Sequence, residues 1–199
     1  MRLKFPFIFG LLFFTFHGLK PCLAQPPTVS LKIADSFVAQ TCAIPVWSNL
    51  TVVWKGVKDS RAVATVGKQE KKGEIITEVM ADPAVETAFD NALKKLLPAC
   101  GMKLTEKKDE NLPTLSVAVE EFFAGEEKKF LTGKAEAQSR LLITAERSGQ
   151  TTLTTEIGFQ IESKKVRRKN IKQLEATLNE LFADTLKQVI TSPYLRDLK

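Results

Sequence analysis

Three consecutive segments in the second half of the chain, residues 114–123, 130–145 and 151–163, alternate apolar and polar side chains. Successive side chains of a β-strand point to opposite faces of a sheet, so this period of two predicts strands with one buried and one solvated face. Such strands are typical of antiparallel sheets, and residues 147–150 are predicted to join the last two as a hairpin. The fold must therefore cover one face of this sheet.

The same alternation predicts which side chains face the core. In the second segment the odd-numbered positions are mostly apolar or small, whereas the even-numbered positions from Thr132 to Arg140 are polar. The inward positions predicted for the other two segments are Leu115, Val117, Val119 and Phe123, and Leu153, Ile157, Phe159 and Ile161.

Residues 82–101 have the period of an amphipathic helix, because apolar side chains recur at steps of three and four. Asp82 is predicted to be the N-cap and Pro83 the first helical residue, where the missing N–H costs nothing. Gly101 is predicted to end the helix, since glycine readily adopts the left-handed conformation found there. A helix this short is marginal alone, so its apolar face needs a sheet.

A second amphipathic helix closes the chain, with Asn170 as its predicted cap and Ser192-Pro193 as its end. A sheet with one apolar face and two helices with one apolar stripe each pack most simply with both helices on that face. The sequence therefore predicts an α+β fold, a two-layer sandwich with a mainly antiparallel sheet. The apolar stripe of this helix consists of Ile171, Leu174, Leu178, Leu181, Phe182, Leu186, Val189 and Ile190.

Shorter strands are predicted around the first helix. Residues 50–57 alternate and are rich in valine, and residues 75–80 are predicted to be either a short strand or an extended lead into the helix. Residues 66–74 are polar with two glycines and are predicted to be a loop. Brief pairing is predicted at residues 102–105, and a short strand at residues 30–35.

The N-terminus has the pattern of a secretory signal peptide. Arg2 and Lys4 precede an apolar run that is shorter than the about 20 residues of a membrane span. Cys22-Leu23-Ala24 places small residues at the −3 and −1 positions of a cleavage site, so we predict an exported protein cut after Ala24. The chain thus divides into a signal peptide over residues 1–24, an extended segment over residues 25–49 and one domain over residues 50–199.

Lipidation of Cys22 is an alternative form of processing. Bacterial lipoprotein signals place a small residue before the cysteine, whereas Lys20 and Pro21 precede it here. An uncleaved membrane anchor and a structural role are the remaining alternatives for this segment.

Export changes the charge and the chemistry of the chain. Loss of residues 1–24 removes three of the 29 basic residues and none of the 23 acidic ones, so the net charge falls from +6 to +3. A mildly basic exported chain is not typical of a nucleic-acid-binding protein. His17, the single histidine, leaves with the signal peptide, which excludes imidazole catalysis and most zinc or iron sites. We expect no cofactor.

Two cysteines remain after cleavage, Cys42 and Cys100. An oxidising compartment favours one disulfide between them, and two buried thiols are the alternative.

Several features in fixed order resemble the YajG-like family of bacterial envelope lipoproteins. They are Val57-Lys58-Asp59-Ser60-Arg61, Val66-Gly67, the helix end Leu96-Leu97-Pro98-Ala99-Cys100-Gly101-Met102-Lys103-Leu104, the meander and the terminal helix. The resemblance extends from about Leu50 onward and implies a small exported α+β domain, periplasmic or associated with the outer membrane, without known enzymatic activity. A looser similarity in layout to auxiliary lipoproteins of lipopolysaccharide assembly and ABC-type lipid transport is an analogy of fold.

Asp59 and Arg61 stand two residues apart after a predicted strand, so their side chains point the same way. Two roles are open to them: a clamp for a polar ligand, or a structural ion pair that holds the turn. The structural role is favoured, since isolated ion pairs are usually structural.

Paired carboxylates at Glu120-Glu121 and Glu126-Glu127 raise the alternative of a hydrolase that uses carboxylates alone. A solvated strand end explains them more simply. No nucleophile elbow, phosphate-binding loop or spaced metal-ligand cluster is present in the sequence. We therefore expect a non-enzymatic protein.

The densest charge cluster precedes the terminal helix. Positive charges near a helix N-terminus attract phosphate, and anionic lipid headgroups are its natural source outside the cytoplasm. A solvated connection is the alternative. We expect a protein that acts by binding envelope proteins or anionic lipids, in peripheral contact with a membrane. The candidate residues are Lys164, Lys165, Arg167, Arg168 and Lys169.

Overall fold

The computed structural model describes residues 25–43, 47, 50–71, 74–127, 134–147, 152–164 and 171–198. The predicted signal peptide, the cap Asn170 and the last three residues of the predicted hairpin turn, 148–150, lie outside them. The strands are β1 (Thr28–Val29), β2 (Thr51–Asp59), β3 (Gly67–Lys71), β4 (Glu74–Ala81), β5 (Lys103–Thr105), β6 (Thr114–Glu127), β7 (Lys134–Glu146) and β8 (Leu153–Lys164). The helices are α1 (Asp35–Thr41), α2 (Val85–Ala99), α3 (Ile171–Thr191) and a 3₁₀ helix, Pro193–Leu198.

Strand β6 is the centre of one mixed sheet. Along one side it pairs antiparallel with β7, which pairs antiparallel with β8, so the predicted meander is confirmed. Along its other side β6 pairs parallel with β2 and, near its end, with β3. The sheet extends from β2 to β5, and from β3 through β4 to β1. The strands predicted at residues 50–57 and 102–105 are confirmed as β2 and β5, and of the two alternatives for residues 75–80 the structure has the strand, β4.

Helices α2 and α3 pack on the same face of the sheet. The ring of Phe122 on β6 lies edge-on to Phe89 of α2, 5.4 Å between centroids, and to Phe182 of α3, at 6.3 Å. Phe89 and Phe182 are 4.6 Å apart. Each edge-to-face pair stabilises the core by about 1 kcal/mol beyond the burial of its area. The predicted two-layer α+β sandwich is confirmed.

Helix α2 ends as predicted and begins later than predicted. Gly101 has φ +97°, its N–H donates to the Pro98 carbonyl, and the Met102 N–H donates to the Leu97 carbonyl, both at 3.0 Å. This is the Schellman arrangement that satisfies the last carbonyls of a helix. The N-cap predicted at Asp82 is wrong, and with it Pro83 as the first helical residue, because Ala84 occupies the cap. The Asp82 N–H instead donates to Val29 at 2.9 Å and continues the pairing of β4 with β1.

A bulge in β6 corrects one predicted core residue. The register between β6 and β7 shifts between Val119 and Glu121, which adds one residue to β6. One extra residue reverses which side chains face the core. Phe122 is therefore buried, whereas Phe123, predicted to face inward, is half-buried on the other side.

The N-terminal half contains three further corrections. Residues 66–74, predicted to be a loop, contain β3, which forms by pairing with β4 although its sequence does not alternate. Strand β1 ends at Val29 and the next element, α1, begins at Asp35, so the strand predicted at residues 30–35 is wrong. The segment 25–49, predicted to be extended, contains α1.

Candidate functional site

Arg61 follows β2, and its side chain is only 5% exposed. The Nε and Nη2 groups donate to the two carboxylate oxygens of Asp59 at 2.9 and 2.8 Å. Nη2 also donates to the Ala64 carbonyl at 3.2 Å, and Nη1 donates to the carbonyls of Thr65 and Phe122 at 3.3 Å. A guanidinium has five N–H groups, and all five have an acceptor here.

The partner carboxylate is held in its charged form. Burial raises the pKa of Asp59, but the hydrogen bonds and charge of Arg61 outweigh it, so the pKa lies below its usual value. The Arg61 backbone N–H also donates to Asp59, at 3.1 Å. Because Arg61 has no donor left over, this geometry favours the structural role over the ligand clamp.

A groove of about 330 Å³ runs beside this pair on the face of the sheet away from the helices. Glu120 and Glu121 line it, and both have partners: Arg140 Nε lies 3.2 Å from Glu120, and the Gln138 amide donates to Glu121. These contacts at the sheet surface agree with the interpretation of Glu120 and Glu121 as a solvated strand end. The side chains of Glu126 and Glu127 lie outside the described part of the chain.

A second open site was missed by the sequence reasoning. The Trp54 Nε1–H donates to Asp90 Oδ1 at 2.8 Å, and Asp90 Oδ2 lies 3.0 Å from Lys94 Nζ. Lys94 Nζ is 3.7 Å from Glu106, and the hydrogen bond with Asp90 is the main cause that raises the pKa of Lys94. Trp54, Lys94 and Glu106 border a cleft of about 740 Å³ at the end of α2. The only local signal was the spacing of Asp90 and Lys94 by four residues on a helix.

Cys42 and Cys100 are joined by a disulfide. Cys42 follows the last residue of α1 and Cys100 that of α2, so the bond joins the ends of these two helices. Trp47 is buried nearby, and its backbone N–H donates to the Cys100 carbonyl at 3.2 Å. The bridge fixes the N-terminal segment to the domain.

Of the predicted basic cluster, only the backbone of Lys164 lies within the described residues, and it ends β8. The cluster forms the connection from β8 to α3, which begins at Ile171. The register pairs Lys134, the first residue of β7, with Lys164. The connection from β6 to β7 adds Lys128 and Lys129 in the sequence. Topology therefore brings two basic connections to one end of the sheet.

The described ranges contain neither a cluster of metal ligands nor a helix that could span a membrane. No group of three or more metal-ligating side chains is close enough to hold an ion among the residues that the structure describes. None of the helices in these ranges has the length and apolar character needed to cross a bilayer.

Residues 45–198 match the profile of a protein family described as uncharacterized lipoproteins. A solved structure from Xanthomonas campestris is similar over 87% of this chain and 97% of its own, with 12% identity and a TM-score of 0.53. Rare lipoprotein B from Shewanella oneidensis is similar over 72% of this chain and 96% of its own, with 9% identity and a TM-score of 0.47. No curated protein matches the chain. At 12% identity, the similarity to the Xanthomonas campestris structure shows only that the two chains share a fold.

Proposed function

The chain belongs to the family of uncharacterized lipoproteins, and from this premise we propose that it is a non-enzymatic envelope protein that binds anionic lipid at a membrane surface. Membership of a lipoprotein family makes it an exported protein of the cell envelope. We further propose that it works at the periplasmic face of the outer membrane, held there by peripheral contact.

The register between β7 and β8 is the observation that supports lipid binding best. Because Lys134 is paired with Lys164, the basic connections over residues 128–133 and 165–170 leave the sheet at the same end. Each cation near an anionic surface contributes about 1 kcal/mol. Screening limits the attraction to about 8 Å at physiological salt, so only cations gathered at one end act together.

Flotation of residues 25–199 with vesicles tests this proposal. The protein should float with vesicles that contain phosphatidylglycerol and stay behind with phosphatidylcholine alone, and binding should fall as salt rises. A variant with Lys164, Lys165, Arg167, Arg168 and Lys169 changed to Gln should lose most of the binding.

A matched control separates the site from net charge. Five exposed lysines elsewhere, when changed to Gln, remove the same charge and should leave most of the binding intact. Equal loss in the two variants, or no loss in the first, would contradict the proposal. The control positions are Lys32, Lys55, Lys58, Lys107 and Lys108.

Processing at the N-terminus decides how the protein reaches the membrane. A cut after Ala24 removes Cys22, so a mature chain that begins at Gln25 excludes a lipid anchor on that cysteine. Mass spectrometry of the exported protein distinguishes cleavage after Ala24 from lipidation of Cys22. The mass of residues 25–199 would support the predicted cut, and a diacylglyceryl group on Cys22 would replace it with a lipid anchor.

Binding to envelope proteins is the other part of this proposal, and a pull-down from intact envelopes tests it. Recovery of components of lipopolysaccharide assembly or lipid transport would support an auxiliary role in those systems. Recovery of neither lipid nor envelope protein would argue against a binding function.

A further inference from the structure

Strand β8 is a long edge of the sheet. It has twelve residues and, among the described strands, pairs only with β7. Alternate residues of a strand direct their N–H and C=O groups to opposite sides, so half of those in β8 point away from β7. Such a row of backbone groups is a template for pairing with another strand.

The side chains of β8 are those of a strand that has room for a neighbour. Phe159 and Ile161 are only partly buried at the margin of the core, and Leu153 is 44% exposed. A cavity of about 340 Å³ is lined by β8 from Thr155 to Gly158 and by residues at and after the end of α3, Gln188 to Tyr194.

We propose that β8 pairs antiparallel with β8 of a second copy of this chain, which gives a two-fold symmetric dimer with a continuous sheet. In such a pairing the two-fold axis is perpendicular to the sheet, so both helix layers lie on the same side. Residues directly opposite share a face of the sheet, and one residue must therefore lie opposite itself.

Charge selects the register of this pairing. The residue that lies opposite itself on the two-fold axis defines the register. Nearly the whole strand is paired when this residue is Gly158 or Phe159. Centring on Phe159 places Glu156 opposite Glu162, and like charges directly opposite are unfavourable. Centring on Gly158 places Glu156 opposite Gln160.

The favoured register also matches apolar side chains. With Gly158 on the axis, Ile157 of each copy lies opposite Phe159 of the other, an aromatic and β-branched pair that stabilises antiparallel sheets. Thr155 lies opposite Ile161, which is partly buried in the monomer. The strand is thus complementary to itself in charge and in apolar character.

Cysteine cross-linking of residues 25–199 tests the register directly. In Gly158→Cys the two new sulfurs face each other across the axis, within reach of a disulfide. A Cβ at this position meets only the Ser139 carbonyl, at 3.8 Å, so the monomer has room for it. Mild oxidation should give a covalent dimer. The control Thr154→Cys lies on the same face but opposite Glu162, and should give little dimer.

Charge substitutions at exposed positions test the same pairing without cross-linking. In the dimer of Gln160→Glu, the new carboxylate of each copy lies opposite Glu156 of the other copy. The two repulsive pairs should weaken association about tenfold in analytical ultracentrifugation. Adding Glu156→Lys should restore it. A wild-type chain that stays monomeric at its highest soluble concentration would overturn the proposal. Equal cross-linking of the two cysteine variants, or Gln160→Glu without effect on association, would do so as well.

Discussion

The sheet ends in three terminal strands, β1, β5 and β8, and the fold treats two of these edges, at β1 and at β8, differently. At the β1 edge, helix α3 bonds to the backbone: Asn179 accepts from the Lys32 N–H at 2.7 Å and donates to the Ser30 carbonyl at 2.9 Å. Glu175 accepts from the Ser30 N–H at 3.2 Å. At the β8 edge, the outer strand pairs with β7 alone among the described strands. The protein therefore closes the short β1 edge with its own helix, whereas the long β8 edge has no further strand among the described residues.

This difference indicates where the chain avoids association and where it permits it. Open edges are a liability that proteins usually block with charges, bulges or a covering element. At the β1 edge, side chains of α3 that are 145 to 149 residues away in sequence take the place of a further strand. Each prediction below changes one support of the closed edge, from the largest expected effect to the smallest.

Loss of the disulfide should have the largest effect. The bond closes a loop of 58 residues and anchors the segment that carries the closed edge, and the chain-entropy model gives about 4 kcal/mol for a loop of this length. The double change Cys42→Ala and Cys100→Ala should lower the free energy of urea unfolding by about that amount. A reducing agent should destabilise the wild type and leave the variant unchanged. Equal stability of variant and wild type would show that the segment is held without the bond.

Arg61 stabilises the connection between the closed β1 edge and the centre of the sheet. It bonds to the carbonyls of Thr65, just before β3, and of Phe122 on β6, and so ties the branch that leads to β1 to the centre of the sheet. Arg61→Ala leaves a carboxylate and three carbonyls without their donor and should cost about 3 kcal/mol. The control Arg140→Ala, at a half-exposed surface pair, should cost about 0.5 kcal/mol. A similar loss in both variants would argue against the structural role.

Acid should weaken the same pair. The pKa of Asp59 is lowered in the folded state, so its contribution is fully present above the unfolded pKa of about 3.9 and is lost as the pH falls through the folded value. The difference in unfolding free energy between wild type and Arg61→Ala should therefore shrink below about pH 4. A difference that stays constant with pH would show that packing, not charge, dominates.

The periodic elements of this fold were predictable from sequence, and the edges were not. The stripe of α3 and the alternation of β7 follow from local spacing and were confirmed. A single extra residue at the β6 bulge reversed Phe122 and Phe123, because alternation alone does not reveal an insertion. Strand β3 depends on its pairing with β4, so its polar sequence indicated a loop.

The Asp59–Arg61 site was likewise predictable from sequence only in part. Asp59 and Arg61 were identified from their spacing, because residues two apart on a strand share a face. The three carbonyls that use the remaining donors of Arg61 were not predictable, since backbone oxygens carry no sequence signal. Glu175 and Asn179 gave no hint of their role either, because polar residues on an exposed helix face are ordinary.

Asn179→Ala should open the closed edge at moderate cost. The change removes the acceptor of the Lys32 N–H and the donor to the Ser30 carbonyl, each worth about 1 kcal/mol or less. Amide hydrogen exchange at Lys32 should become faster, while amides of β8 that point away from β7 should exchange as before. The control Glu180→Ala lies on an exposed part of α3 and should leave Lys32 unchanged. Unaltered exchange at Lys32 in the Asn179 variant would show that the Asn179 side chain does not protect the β1 edge.

Glu175→Gln should have the smallest effect and separates charge from shape in the closure. Gln keeps an oxygen where Glu175 accepts from the Ser30 N–H and removes only the negative charge. Hydrogen bonds to a charged acceptor are roughly twice as strong as neutral ones, so the expected loss is about 0.5 kcal/mol. Glu175→Ala removes the acceptor as well, and should cost more and speed exchange at Ser30. If Gln and Ala lower stability equally, charge carries this contact; if Gln matches the wild type, the oxygen alone closes the edge, as a neighbouring strand would.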